Sequence, residues 1–245
     1  MFYRIGIMAL LVSGLFGCRF IGGVNVTRGS GNVVTETRAV SGFNSVTLAG
    51  FGDLNITQGE TESLMIQAED NILPYITTEV KDDVLTIGLK SGINNVSLSP
   101  TNPVKFELAV KTLNSIQLAG AGNITTSALK SETLNLTTSG AGSLNMQQLQ
   151  VKQLEVVVSG AGSVTLAGSS DTQTASLTGL GSYNAGDLQS QRASVTISGA
   201  GSATVWAKES LTAQISGAGS ISYYGEPQVS QSVNGLGSVK NFGTK

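Results

Sequence analysis

A Gly-x-Gly motif returns at nearly regular intervals through the second half of this sequence, and it limits the fold more than any other feature. Seven copies begin at glycines separated by 18–20 residues. They are Gly120-Ala121-Gly122, Gly140-Ala141-Gly142, Gly160-Ala161-Gly162, Gly179-Leu180-Gly181, Gly199-Ala200-Gly201, Gly217-Ala218-Gly219 and Gly235-Leu236-Gly237. An outlying copy, Gly50-Phe51-Gly52, lies 70 residues before the first of these. A fixed period of this length indicates that one small structural unit is stacked many times.

The residues around each motif form columns when the first glycine is numbered zero. Columns −4, −2, +4 and +6 are mostly apolar, and the columns between them are mostly Ser, Thr, Asn or Gln. Column −4 contains Ile116, Leu136, Val156, Ala175, Val195, Ala213 and Gln231, and column −2 contains Leu118, Thr138, Val158, Leu177, Ile197, Ile215 and Val233. Column +4 contains Ile124, Leu144, Val164, Tyr183, Ala203, Ile221 and Val239, and column +6 contains Thr126, Met146, Leu166, Ala185, Val205, Tyr223 and Asn241. This alternation predicts a strand on each side of a glycine corner, with the apolar columns pointing inward.

These units predict an all-β fold, a parallel β-helix or β-solenoid with coils of 18–20 residues. Glycine at the corner permits either a positive φ or a close approach of two backbones. A right-handed solenoid is favoured, because a left-handed hexapeptide helix would show a six-residue aliphatic rhythm that this sequence lacks. An antiparallel sandwich with repeating hairpins remains the alternative.

The domain predicted for residues 42–245 has an irregular part, 53–115, before the regular repeats of 116–242. The irregular part has longer strands, and Asp82-Asp83 between two of them is typical of a hairpin turn. Asn71 to Tyr75 is the one place where a short helical turn is expected. Terminal units of stacked arrays are atypical, so residues 53–115 are expected to cap the N-terminal end.

The N-terminus has the pattern of a bacterial lipoprotein signal peptide over residues 1–18. Arg4 precedes an apolar stretch from Ile5 to Phe16 that is too short for a typical membrane-spanning helix. The single cysteine, Cys18, follows Leu15-Phe16-Gly17 as in a lipobox, although Phe16 is unusual there. We therefore expect lipidation of Cys18, followed by a polar tether over 19–41 whose end begins to pair as a strand. The alternative is a signal peptide that is cleaved elsewhere.

Composition excludes several classes of function. The net charge is −2 and charged residues make up 12% of the chain, so the basic face that nucleic-acid binding needs is missing. There is no histidine, which excludes Ser-His-Asp and Cys-His nucleophiles and argues against zinc. The glycine corners carry Ser or Asn rather than Asp and precede no helix, so neither calcium nor phosphate binding is indicated. We expect no cofactor.

Carboxylates are the remaining side chains that could support catalysis, because some polysaccharide lyases and hydrolases have the β-helix fold. The adjacent or near-adjacent pairs are Glu60/Glu62, Glu69/Asp70 and Asp82/Asp83, and all are expected to be solvated residues of loops or turns. The acids of the repeats share no column. The sequence therefore predicts a protein that is not an enzyme, with no catalytic and no metal-binding residues.

Column +7 of the last three units contains Trp206, Tyr224 and Phe242, which we call the aromatic ladder. Alternation from column +6 points these side chains outward, and stacked coils would place them in one row. Exposed aromatic side chains bind sugar faces or protein partners. The alternative is that a C-terminal cap or a dimer shields them.

The segment from Val46 to Gly59 resembles the opening of the putative auto-transporter adhesin, head GIN-domain family. Glu79 to Ile87 and Gly120 to Ile124 resemble later signatures of that family, and the likeness extends over roughly residues 40–240. The resemblance implies a β-rich bacterial protein that is secreted or lipid-anchored, and it supplies no catalytic residues.

Three functions are open from the sequence. The favoured function is that of a lipid-anchored adhesin or binding scaffold, whose partner would be a glycan or an envelope protein. The outer membrane is favoured because residue 19 is Arg, whereas an Asp after the lipidated Cys would resemble the inner-membrane retention signal. The others are a carbohydrate-active β-helix enzyme and a self-associating structural protein.

Overall fold

The computed structural model describes residues 25–90 and 96–245, and these form a β-solenoid of about 6 turns. The early strands are β1 (Asn25–Arg28), β2 (Val33–Arg38), β3 (Ser45–Leu48), β4 (Asp53–Gln58), β5 (Ser63–Glu69), β6 (Ile76–Lys81), β7 (Val84–Leu89), β8 (Val96–Ser99), β9 (Lys105–Val110) and β10 (Ser115–Leu118), with one 3₁₀ turn at Leu73–Tyr75. The repeats form β11 (Asn123–Thr138), β12 (Ser143–Val158), β13 (Ser163–Leu177), β14 (Ser182–Ile197), β15 (Ser202–Ile215), β16 (Ser220–Tyr224), β17 (Gln228–Val233) and β18 (Ser238–Asn241). The predicted fold class is confirmed, while the right-handed sense stays a prediction.

Each regular coil lies directly on the one before it. Strands β11 to β15 pair in parallel with their neighbours, and Asn123 to Thr138 of β11 lies opposite Ser143 to Val158 of β12. The four predicted apolar columns are buried from the first unit through most of the sixth, as in Ile124, Leu144 and Val164, which are no more than 1% exposed. Burial of these columns forms the continuous interior that no single coil could make.

The Gly-x-Gly corners stack because the backbone of one coil nearly touches the backbone of the next. A Cβ added to Gly140 would lie less than 3.0 Å from the carbonyl oxygen of Gly120, closer than real Cβ atoms approach. The amide of Ala141 donates a hydrogen bond of 3.3 Å to that same carbonyl. None of the seven repeat corners has a positive φ. Close approach, rather than an unusual φ, is therefore the reason for glycine there.

The outlying Gly50-Phe51-Gly52 belongs to the same corner column. Ala121 donates to the carbonyl of Gly50 at 3.1 Å, and Asn123 donates to that of Gly52 at 3.0 Å. Over the 70-residue gap the chain leaves the glycine-corner stack after β4, forms strands β5 to β9 at the N-terminal end, and returns to the stack at β10. There β3 pairs with β7 and β10, and β4 pairs with β9 and β11.

Antiparallel strands close the N-terminal end. Strand β5 pairs antiparallel with β2 and β9, and β6 pairs antiparallel with β7. Asp82 and Asp83, with φ of 49° and 62°, form the predicted hairpin turn. The Arg38 guanidinium spans the two edge strands, because it donates at 2.9 Å to the carbonyl of Ile76.

In the described part of the predicted tether, 19–41, strand pairing begins earlier than expected. Residues 25–28 form β1, which pairs in parallel with β8, and residues 33–38 form β2. Residues 25–28 and 33–38 are thus paired into the fold, and they contain Val and Thr, which are enriched in strands. The signal peptide, Cys18 and the first residues of the tether lie outside the described residues.

Replacing Gly140 with Ala is expected to lower the free energy of unfolding by more than about 3 kcal/mol, in the range of the severe single substitutions. The new Cβ would push against a backbone carbonyl that cannot move without breaking the corner hydrogen bond. Urea denaturation measures the change. Gly59→Ala is the matched control, because nothing lies within 4 Å of its added Cβ, and it should leave stability within about 1 kcal/mol. Equal effects of the two substitutions would contradict the stacked-corner explanation.

Candidate functional site: the aromatic face of the last coils

The three ladder residues come together on consecutive coils, as the alternation predicted. Trp206 of β15 is the register partner of Tyr224 of β16. Phe242 follows β18, and its ring centroid lies 5.6 Å from that of Tyr224 with an interplanar angle of 69°. Edge-to-face contact of this kind is a favoured arrangement of aromatic rings.

The aromatic ladder is only partly open to solvent. Trp206 and Tyr224 are half-buried, and Phe242 is 47% exposed. The Nζ atom of Lys245 lies 4.7 Å from the Tyr224 ring centroid and 5.9 Å from that of Trp206, and Lys240 lies 5.4 Å from that of Phe242. Lys245 therefore covers two of the three rings, so the ladder is partly shielded, which is the alternative that the sequence left open.

A bulge in β14 holds Lys245 in place. The register between β14 and β15 shifts between Ala185 and Gln189, so residues 186–188 have no partner in β15. Lys245 donates to the carbonyl of Gly186 at 2.8 Å and to the carboxylate of Asp187. A Cβ added to Gly186 would lie 3.2 Å from the Tyr224 ring, so a larger residue would press on the ladder. Two aromatic faces, a carboxylate and a carbonyl thus surround one ammonium group.

A buried chain of hydrogen bonds fixes the backbone behind Trp206. The Ser190 hydroxyl donates to the carbonyl of Trp206 at 2.7 Å, and the Gln173 amide donates to Ser190 at 2.7 Å. The Tyr183 hydroxyl donates to Gln173 at 2.8 Å, and burial raises the pKa of Tyr183. These neutral groups have partners and no contact with solvent, so they position the ladder rather than perform chemistry.

Glu69 is the ionisable residue whose role the sequence did not reveal. The sequence placed it in a solvated turn, but it is 1% exposed at the end of β5. Its carboxylate accepts hydrogen bonds from the amide of Gly31 at 2.7 Å, from the amide of Thr101 at 2.9 Å and from the Thr101 hydroxyl. Glu69 therefore joins the loop after β1 to the loop after β8. No motif in the sequence signals this, because both loops are brought to it by the fold.

The hydroxyl of Thr101, helped by the two amides and opposed by burial, lowers the pKa of Glu69 to about 2. Hydrogen bonds from Ser30 and Asn32 likewise lower the pKa of Asp70. A general acid needs a raised pKa to hold its proton near neutrality. The Glu69/Asp70 pair is therefore suited to structure and not to glycoside hydrolysis.

Glu69→Gln is expected to flatten the acid sensitivity of the fold. Because the folded-state pKa is lowered, the carboxylate stabilises the protein fully above its ordinary value of 4.5, and this stabilisation is lost as the pH falls toward about 2. Thermal melting between pH 7 and pH 2 should show a smaller loss in the variant, which starts from a lower melting temperature at pH 7. Glu60→Gln, at an exposed turn position, is the control that should follow the unchanged protein. Parallel pH profiles for Glu69→Gln and the unchanged protein would contradict this role.

The remaining surface offers grooves rather than a cleft with converging acids. One groove of about 320 Å³ crosses β11 to β13, and Glu155 is the one carboxylate in its lining. Within residues 25–90 and 96–245 no three His, Cys, Asp or Glu side chains are grouped to hold a metal ion. No helix in the same ranges is long and apolar enough to cross a membrane.

The fold is that of a β-solenoid protein with a row of aromatic side chains on its last coils. A sequence model of the family described as "Putative auto-transporter adhesin, head GIN domain" matches residues 42–227, and this chain belongs to that family. The resemblance noted in the sequence is thereby confirmed.

Several solved structures have the same fold. A Bacteroides fragilis protein described as a putative adhesin is 29% identical with a TM-score of 0.82, covering 88% of this chain and 100% of its own. A Parabacteroides merdae protein described in the same way is 26% identical with a TM-score of 0.71, covering 89% and 99%. A Parabacteroides distasonis protein described as a putative lipid binding protein is 24% identical with a TM-score of 0.74, which shows the fold alone. The comparison with curated proteins finds no match.

Proposed function

We propose that this chain is a non-enzymatic adhesin of the bacterial outer membrane, anchored by lipid on Cys18, which binds a glycan or an envelope protein through its aromatic ladder. The observation that carries the proposal is the row of Trp206, Tyr224 and Phe242 on three successive coils, two of them in ring contact. Flat aromatic surfaces of this kind pack on the apolar faces of sugars or on partner side chains.

Membership of an adhesin family supports the proposal from a separate direction. The Glu69/Asp70 pair has lowered pKa values, and the groove across β11 to β13 has one carboxylate in its lining. These features favour binding over the carbohydrate-active enzyme that the fold also allowed.

The lipid anchor suits this use of the solenoid. Strands β1 and β2 enter at the capped end, and the aromatic ladder lies on the last three coils, at the other end of the stack. Lipid on Cys18 would thus hold the capped end near the membrane and present the ladder away from it. Several acyl chains contribute about 0.8 kcal/mol per buried CH₂, which makes such an anchor firm.

The test uses the full chain expressed in a bacterium with an outer membrane. The double variant Trp206→Ser/Tyr224→Ser is expected to weaken binding to a glycan array and to intact cells by at least about 30-fold, since a buried aromatic hot spot contributes about 2 kcal/mol. Cys18→Ala is expected to leave array binding unchanged and to move the protein from the membrane fraction to the soluble fraction. Circular dichroism checks that each variant folds.

Two further variants sharpen the result. Tyr75→Ser removes a half-buried aromatic residue at the opposite end of the solenoid and should leave binding unchanged. Lys245→Ala uncovers the ladder, so it should strengthen binding and increase quenching of the chain's single tryptophan by acrylamide. Unchanged binding by the double variant would eliminate the ladder as the site, and membrane retention of Cys18→Ala would eliminate the lipid anchor.

A further inference from the structure

The C-terminal end of the solenoid is open, in contrast to the closed N-terminal end. All six residues of β17 are exposed, and positions that are buried in every earlier coil lie uncovered. Val233 of column −2 is 40% exposed, whereas Ile215, which precedes it in that column, is 1% exposed. The last coil thus presents the interior of the solenoid to solvent.

The backbone edge at this end is also unpaired. Within the described residues, β17 pairs only with β15 and β18 only with β16, so one edge of each strand has no partner. Natural edge strands are usually protected by charge, proline or a covering segment. At the N-terminal end, Glu79 and Lys81 on β6 and the bridging Arg38 provide that protection. At the C-terminal end Lys240 lies on β18 and Pro227 precedes β17, but β17 itself contains no charged residue and no proline.

Five of the six residues of β17 read the same in both directions. Residues 229–233 are Val-Ser-Gln-Ser-Val, a palindrome centred on Gln231, and the flanking Gln228 and Asn234 both end in amides. In an antiparallel pair of two copies, directly opposed residues must point to the same face. Centring on Gln231 opposes Val229 with the partner's Val233, so that apolar residues meet apolar residues. Centring on Ser230 would instead oppose Val229 with the partner's Gln231.

We propose that two copies of this chain join end to end, with β17 pairing antiparallel to β17 of the partner about a two-fold axis through Gln231. Four valines then complete the interior shared by the two last coils, and the two Gln231 amides face each other at the centre. Isologous contacts of this kind are self-limiting. The protected N-terminal ends stop further growth, so the product is a dimer and not a fibre.

A second copy fits this end better than an unrelated partner. Strand β17 is self-complementary in its apolar pattern and has no charge that would repel its copy. The last coil, residues 226–243, is close in size to the roughly 20–30 residues that a stable interface uses on each side. The inference does not depend on the ladder or on the lipid anchor.

Disulfide trapping of the full chain tests the proposed register. Gln231→Cys should form a dimer of twice the 25.1 kDa chain mass on oxidation, because opposed residues in an antiparallel pair lie about 4.5–5.5 Å apart, within disulfide reach. Ser230→Cys is the matched control one residue away. In the proposed register residue 230 of one copy lies about 7–8 Å from residue 230 of the other copy, so Ser230→Cys should cross-link at least about tenfold more slowly than Gln231→Cys. Every cysteine variant also carries Cys18→Ala, so that the introduced thiol is the only one, and Glu79→Cys at the other end should give no dimer.

Charge exchange provides a second test that does not depend on disulfide chemistry. Gln231 is exposed in the single chain, so Gln231→Lys and Gln231→Glu should both fold. Each alone should be monomeric by light scattering, because like charges would face each other at the axis. Their mixture should recover the dimer. A monomeric unchanged chain, a mixture that stays monomeric, or cross-linking of Ser230→Cys as fast as that of Gln231→Cys would overturn the proposal.

Discussion

One repeated hydrogen bond makes the rest of this structure possible. At each corner the middle residue of Gly-x-Gly donates its amide to the carbonyl of the first glycine one coil earlier, at distances of 3.1–3.3 Å from Ala121 to Leu236. A side chain at the glycines would occupy the space of that carbonyl. Because the corner hydrogen bonds align the coils, the strands on either side pair in parallel and in register. The buried columns, the exterior polar columns and the aromatic ladder all follow from this alignment.

The two ends of the stack are built differently, and that difference has functional consequences. The N-terminal end is closed by antiparallel strands and charged edge residues, and by Glu69, which joins the loops after β1 and β8. The other end carries the aromatic ladder and the uncharged, exposed strand β17. A protein held by its N-terminus would thus turn its exposed coils outward, and end-to-end pairing there would place the two N-termini at opposite ends of the dimer.

The regular half could be predicted from sequence because its information is local and repeated. Columns such as Ile124, Leu144 and Val164 report inward positions, and the glycine period reports the coil length. The alternation also predicted which face Trp206, Tyr224 and Phe242 share. It could not predict that Lys245 covers two of the rings, because this depends on a bulge at residues 186–188. Glu69 was misplaced for a similar reason, since its donors come from loops 38 and 32 residues away.

Amide hydrogen exchange at the corners tests the central claim most directly. The amides of Ala141, Ala161 and Leu180 should exchange as slowly as the neighbouring strand amides, since each is bonded to a glycine carbonyl of the preceding coil. In a sandwich of up-and-down hairpins the same amides would lie in turns without partners. Exchange at those three positions as fast as in an open loop would contradict the stacked solenoid described above.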